Sequence, residues 1–295
     1  MRASDRRKQT PRPRHPRQEA PRREPEPTQL VDVVVLSLAE DSARVRRLDD
    51  GTIVRLRVPD LRAIVPALRV SVQCRAPRGN APPRTLVGHI LHARLDLDAL
   101  ALPPRPPIEF GPWPMDDELD HLPDDVVAHL RARARDMFEM HSPPPDDEDI
   151  LFAALDHREA DRPLAAHELL MRLVERDPGN IDAHRHLGNL VFDVLLPVAR
   201  THYEIAVQIG ERQLGPGFDG ILSWYLHGNR AFLRSLHGLG LCQWRGGDFH
   251  SAEATFRRML CLCPEDGIGA RFLLVDVRAR KLWGDGAEGD GEPPF

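Results

Sequence analysis

The chain has 295 residues, 41% of them hydrophobic, so it is long enough for two modest domains with tails and can form a core. No apolar run reaches the roughly 20 residues of a membrane span. Arg6-Arg7 is followed by Pro-rich polar sequence, which argues against a signal peptide. The net charge of −5 is unevenly spread: residues 1–29 carry nine basic and four acidic groups, residues 30–95 eleven and six, and residues 96–295 twenty and thirty-five. A basic front and an acidic back suggest two partners, or attraction between the halves.

Residues 1–29 are rich in Arg and Pro without a periodic apolar face, so they are expected to be a disordered basic arm. Lysine occurs only at Lys8 and Lys281, a bias that suggests a GC-rich, bacterial genome. Cys74, Cys242, Cys261 and Cys263 form neither a disulfide framework nor a paired C-x-x-C site. They read as reduced thiols of a cytoplasmic protein.

Residues 30–95 predict a small antiparallel β barrel or sheet. Strands are expected at 30–38, 42–48, 52–58, 68–74 and 86–95, with Asp49-Asp50-Gly51 as a hairpin turn. A five-stranded barrel, OB-like in outline, with a basic surplus invites an oligonucleotide-binding reading. Residues 30–95 contain no Phe, Tyr or Trp, however, so the aromatic platforms on which single strands stack are missing.

Residues 96–145 read as a Pro-stiffened linker with one amphipathic helix over 124–140. Asp146 and Asp147 are placed to cap a helix running through Ile150 and Leu155. A second helix carries Ala166, Leu170 and Leu173. A third begins at Ile181, with Leu187-Gly188, and a fourth carries Ala199, Tyr203 and Ala206 and runs to Leu214. GPGFDG, 215–220, is a turn. Residues 221–232 are expected to be helical and continuous with the helix that carries Leu236.

Residues 233–266 form the clearest unit. Leu236, Leu239, Gly240 and Gln243 share one helix face, Ala252, Phe256 and Met259 share a second, Gly246-Gly247-Asp248 separates them, and Pro264 ends the unit. Gly240 and Ala252 are small where two helices must approach closely. A last helix is expected over 266–283, and an acidic, Gly-rich, disordered tail over 284–295.

The spacing of Leu239-Gly240, Ala252, Phe256 and Pro264 resembles the tetratricopeptide repeat, and 187–188 with 199–206 is a weaker copy. The fold class implied is α+β multidomain: the barrel, then an all-α array of helical hairpins over 146–283. The resemblance implies a protein or peptide ligand on the concave face, lined by first helices of the hairpins. Those positions include Arg185, His186, Asn189 and Asp193, then Arg234, His237, Trp244 and Arg245. Arg185 and Asn189, one helical turn apart, could grip a peptide carboxylate.

His184 and His186 point about 200° apart on a helix and do not suit one metal ion. No nucleophile elbow, phosphate-binding loop or zinc-hydrolase motif is present. The expectation is a non-enzymatic cytoplasmic scaffold without cofactor or metal, with no membrane association. The alternative is an adaptor that holds RNA or single-stranded DNA through its arm and barrel.

Overall fold

The structure, a computed structural model, describes residues 28–75, 84–114 and 119–284. The expected arm lies outside the described residues except for its last two positions, and so does the expected tail after Gly284. The chain is α+β, with a five-stranded barrel, a two-stranded sheet and eight α-helices among the described residues.

The barrel strands are β1 (Thr28–Ala39), β2 (Ser42–Arg47), β3 (Ile53–Arg57), β4 (Leu68–Arg75) and β5 (Thr85–Leu95), closed in the order β1-β2-β3-β5-β4. Gly51 takes a positive φ of 73° in the β2–β3 turn, as the Asp-Gly pair predicts. The sheet is mixed, which corrects the all-antiparallel expectation. β4 pairs antiparallel with the free edge of β1, and β5 pairs antiparallel with β4. Two reversals bring β5 into the direction of β3, so the closing pair is parallel, with Arg55 opposite Thr85 and Leu56 opposite Leu86.

Val33, Val34 and Val35 are all fully buried, although consecutive strand residues face opposite sides. Helices cover the outer side of β1, which explains the unbroken apolar run. Ile205 and Ile209 join the barrel core from outside, and Ser37 bonds to Glu175.

The linker is more structured than its composition suggests. β6 (Ile108–Pro112) pairs with β7 (Asp136–Glu139), and α1 (Asp124–Arg131) lies between them. The single helix expected over 124–140 therefore stops early. Its second half finds ladder partners instead: Phe138 N–H donates to Ile221 O at 2.7 Å, and Ile221 N–H to Asp136 O at 2.8 Å. That pairing also keeps residues 221–226 out of the helix expected there; a short 3-10 turn at His227–Asn229 precedes α6. Asn229 ties the loop down, accepting from Met140 N–H at 2.9 Å and donating to Phe138 O and Ser223 O.

The remaining helices are α2 (Pro145–Glu159), α3 (Pro163–Arg176), α4 (Ile181–Val191), α5 (Leu196–Leu214), α6 (Arg230–Arg245), α7 (Phe249–Leu262) and α8 (Ala270–Arg278). Consecutive helices from α2 to α8 pack against each other, and α4 also packs on α6. Asp147 does not cap α2; it is buried and pairs with Arg176 at 3.1 Å. α8 is shorter than the helix expected over 266–283. Asp266 stands before it and accepts from Ala270 N–H at 2.6 Å, while Gly269 turns the chain at φ 80°.

The small residues act at the helix crossings. A Cβ added to Gly240 would sit 2.5 Å from the Phe256 ring of α7, and one added to Gly188 would sit 3.0 Å from the Tyr203 ring of α5. Gly238 meets the other side of Tyr203 more closely still. One tyrosine is thus wedged between α4 and α6, and both faces of the wedge require glycine. All four cysteines are buried and free.

Candidate binding cleft

A cleft of about 680 Å³ opens at the N-terminal ends of α4 and α6. Asn180, Asp182, Arg230 and Arg234 line it, and linker residues Arg105, Pro106 and His141 border it. The start of α4 is held by Asn180, whose side chain accepts from Ala183 N–H at 2.9 Å. Helical spacing of three and four then sets Asp182, Arg185, His186 and Asn189 along one stripe leading from the cleft.

Where this stripe meets α6 the charges do not balance, because Arg230 and Arg234 join Arg185 around one carboxylate. Arg185 Nε donates to Asp182 Oδ1 at 2.8 Å, and its Nη2 donates to His186 Nε2. Arg234 faces the same carboxylate from α6 and packs over the Trp224 ring, 5.4 Å from its centroid. Arg230, one turn earlier, packs on the same ring and donates to Trp224 O at 3.0 Å. Asp182 is the carboxylate that Arg185 and Arg234 share. Burial raises its pKa, but Arg185, with Arg234 behind it, outweighs burial and holds it below the usual range.

The same field acts on the cations. Burial and repulsion from Arg185 lower the Arg234 guanidinium. Burial, then Arg185, pushes His186 down to about 3, so the ring is neutral. With Nε2 accepting from Arg185, the ring proton sits on Nδ1, which is buried without a hydrogen-bond partner. Asn189 is similarly half-satisfied: its Oδ1 accepts the Tyr203 hydroxyl, while its buried Nδ2 has no partner. Leaving a buried donor unpaired costs about 1–3 kcal/mol. The cleft therefore carries surplus positive charge from Arg230 and Arg234, and two unpartnered donors lie buried beneath it.

The other expected binding positions lie elsewhere. His237 is turned inward against the Phe256 ring, and burial lowers its pKa to about 4. Trp244, Arg245 and Asp193 gather at the opposite end of the helices. There Arg245 pairs with Asp193 at 2.9 Å, and Trp244 Nε1 donates to Lys281 O at 2.8 Å. Trp283 packs edge-on to Trp244 and also reaches Phe192. The segment after α8 thus covers that end.

Of the eight expected residues, the structure brings Arg185, His186, Asn189 and Arg234 together. Sequence reasoning missed Trp224 and Arg230, because the loop before α6 follows no repeat spacing. Among the described residues no group of three or more His, Cys, Asp or Glu side chains could hold a metal ion. No helix among them is long and apolar enough to cross a membrane.

No protein-family model matches the chain, and no curated protein matches it. Among solved structures, a similar chain is the first TPR of Spaghetti (RPAP3) bound to the HSP90 peptide SRMEEVD. It is 13% identical, covers 45% of this chain and 93% of its own length, and has a TM-score of 0.36, a likeness too slight to carry over fold or ligand.

Proposed function

We propose that the protein is a non-enzymatic, cytoplasmic adaptor that binds a protein or peptide along a short tetratricopeptide-like array. The stacked pairs α4–α5 and α6–α7 repeat one device, a glycine in the first helix seated on an aromatic ring of the second. Such stacking leaves the first helices to form a continuous inner surface. We further propose that the ligand is acidic, its carboxylate entering the cleft beside Arg234 and Arg185. The observation that carries this is the excess of guanidinium groups, Arg185, Arg230 and Arg234, over the one carboxylate of Asp182 at the cleft.

Titration calorimetry of the full chain with an acidic heptapeptide, and with its Gln/Asn counterpart, tests the reading. The acidic peptide should bind and the neutral one should not. Arg234→Ala should cost about 1.5–3 kcal/mol of binding, the range for a hydrogen bond to a charged group. Equal binding of both peptides, or an Arg234→Ala variant that binds as well as the wild type, rules the reading out.

A further inference from the structure

The barrel carries a second cationic surface, remote in character from the cleft and independent of the peptide-binding reading. Strand register sets Ser37, Arg44, Arg55 and Thr85 in one row across β1, β2, β3 and β5. Arg44 and Arg55 are directly opposite each other, both exposed, an arrangement that costs stability when the charges are alike. Arg84 precedes Thr85 at the same row and is also exposed. These residues line a groove of about 710 Å³ that includes exposed Ile53 and ends at Glu175.

Counter-charge within the described residues falls short of this row. Arg44, Arg55 and Arg84 make no ion pair there. Asp41, whose charge reaches Arg55, is already bonded to Arg57 at 2.9 Å and to Ser42 at 2.9 Å. Glu175, at the end of the groove, accepts from the neutral Ser37 hydroxyl and keeps its charge, one carboxylate against three guanidinium groups. Arg46, next on β2, directs its guanidinium to the Ala99 carbonyl, which leaves its charge uncompensated.

We propose that this face of the barrel, centred on Arg44, Arg55 and Arg84, binds the phosphate backbone of single-stranded nucleic acid without reading its bases. Guanidinium forks match phosphate oxygens, and polymer phosphates supply the regular negative charge that an unpaired arginine row lacks. One observation favours a phosphate backbone over an acidic protein. The groove has no aromatic side chain, and protein interfaces draw most of their binding energy from buried aromatic and Arg anchors in pockets. The lack of Phe, Tyr and Trp in residues 1–95 removes base stacking, and with it sequence preference.

Fluorescence anisotropy of the full chain with labelled oligo-dT and oligo-dA of 30 nucleotides, from 25 to 200 mM salt, tests this. Both oligonucleotides should bind alike, with log K falling linearly with log salt. Arg44→Ala/Arg55→Ala should weaken binding and flatten the slope by about 1.4, since each lost phosphate contact removes about 0.7 on a single strand. The same variant should melt no lower than the wild type, because it relieves a like-charge contact. Arg62→Ala, remote from the row and paired with Asp60, should leave the slope unchanged. Absence of binding at 25 mM salt overturns the proposal. So does an unchanged slope in the double variant, which would assign all binding to the basic residues of 1–27. Tighter competition by a poly-glutamate peptide than by oligo-dT also overturns it, in favour of an acidic protein partner.

Discussion

The barrel and the helical array are built on opposite principles. The barrel fills its interior with branched aliphatic residues, Val33, Val45, Leu56, Val72 and Leu86 among them, and residues 28–95 contain no Phe, Tyr or Trp. The array sets its helix spacing by seating Tyr203, Phe232 and Phe256 against glycines. The two also differ in where they keep histidine. His89 and His92 stand on β5 outside the core, whereas His184, His186, His202 and His237 are buried among the helices. Shape in the barrel is enforced by hydrogen-bonded closure, and in the array by a few ring-on-glycine contacts. The array should therefore be far more sensitive to single substitutions and to acid.

Acidification is the strongest way to break the two apart. Burial lowers His184 and His237 to about 4 and His202 well below its usual value. Their unfolded value is 6.5, so the unfolded array binds more protons between about pH 6.5 and 4, and stability falls as pH falls through that window. Each such group steepens the loss by up to about 1.4 kcal/mol per pH unit. All four tryptophans lie outside the barrel, at Trp113, Trp224, Trp244 and Trp283. Tryptophan emission should therefore report array unfolding between pH 6.5 and 4 while amides of Val33–Val35 and Val70–Val72 keep their exchange protection. Loss of both together would mean that the barrel depends on Ile205 and Ile209 for its integrity.

Phe256→Ala comes next. It empties a fully buried site between α6 and α7 and should cost about 3–5 kcal/mol, measured by urea denaturation. Gly240→Ala attacks the same contact from the other side. The added methyl would lie 2.5 Å from the ring, and overpacking of this kind costs about 1–3 kcal/mol. Tyr203→Phe keeps the wedge and deletes only the hydroxyl bonded to Asn189, so about 1 kcal/mol is expected. That variant also frees Asn189 Oδ1, and sharpens the comparison by showing how much of the wedge is shape and how much is polar.

Much of this architecture was legible from spacing. Gly240 and Phe256 sit sixteen residues apart in chain and in contact in space, as the hairpin reading requires. The Asp-Gly turn and the five strands were readable from alternation and turn chemistry. The parallel β3–β5 pair was not, because strand direction depends on how often the chain reverses and not on local pattern. β7 was hidden for a similar reason: residues 136–139 continue a helical periodicity, and only the distant β6 and Ile221 divert them into a ladder. Beside the cleft, Arg185 and Asn189 could be read from the repeat, and of its lining only Asp182 and Arg234. The inward turn of His237, the cover over Trp244 and the role of Trp224 arise from contacts between segments far apart in sequence.

The cleft itself is tested most directly by exchanging charges across it. Arg234→Glu should abolish binding of an acidic peptide to the full chain, and a peptide with lysine in place of the recognised acid should bind that variant while failing on the wild type. Binding of the acidic peptide to Arg234→Glu at wild-type affinity would contradict the account, since the ligand would then have to engage another surface.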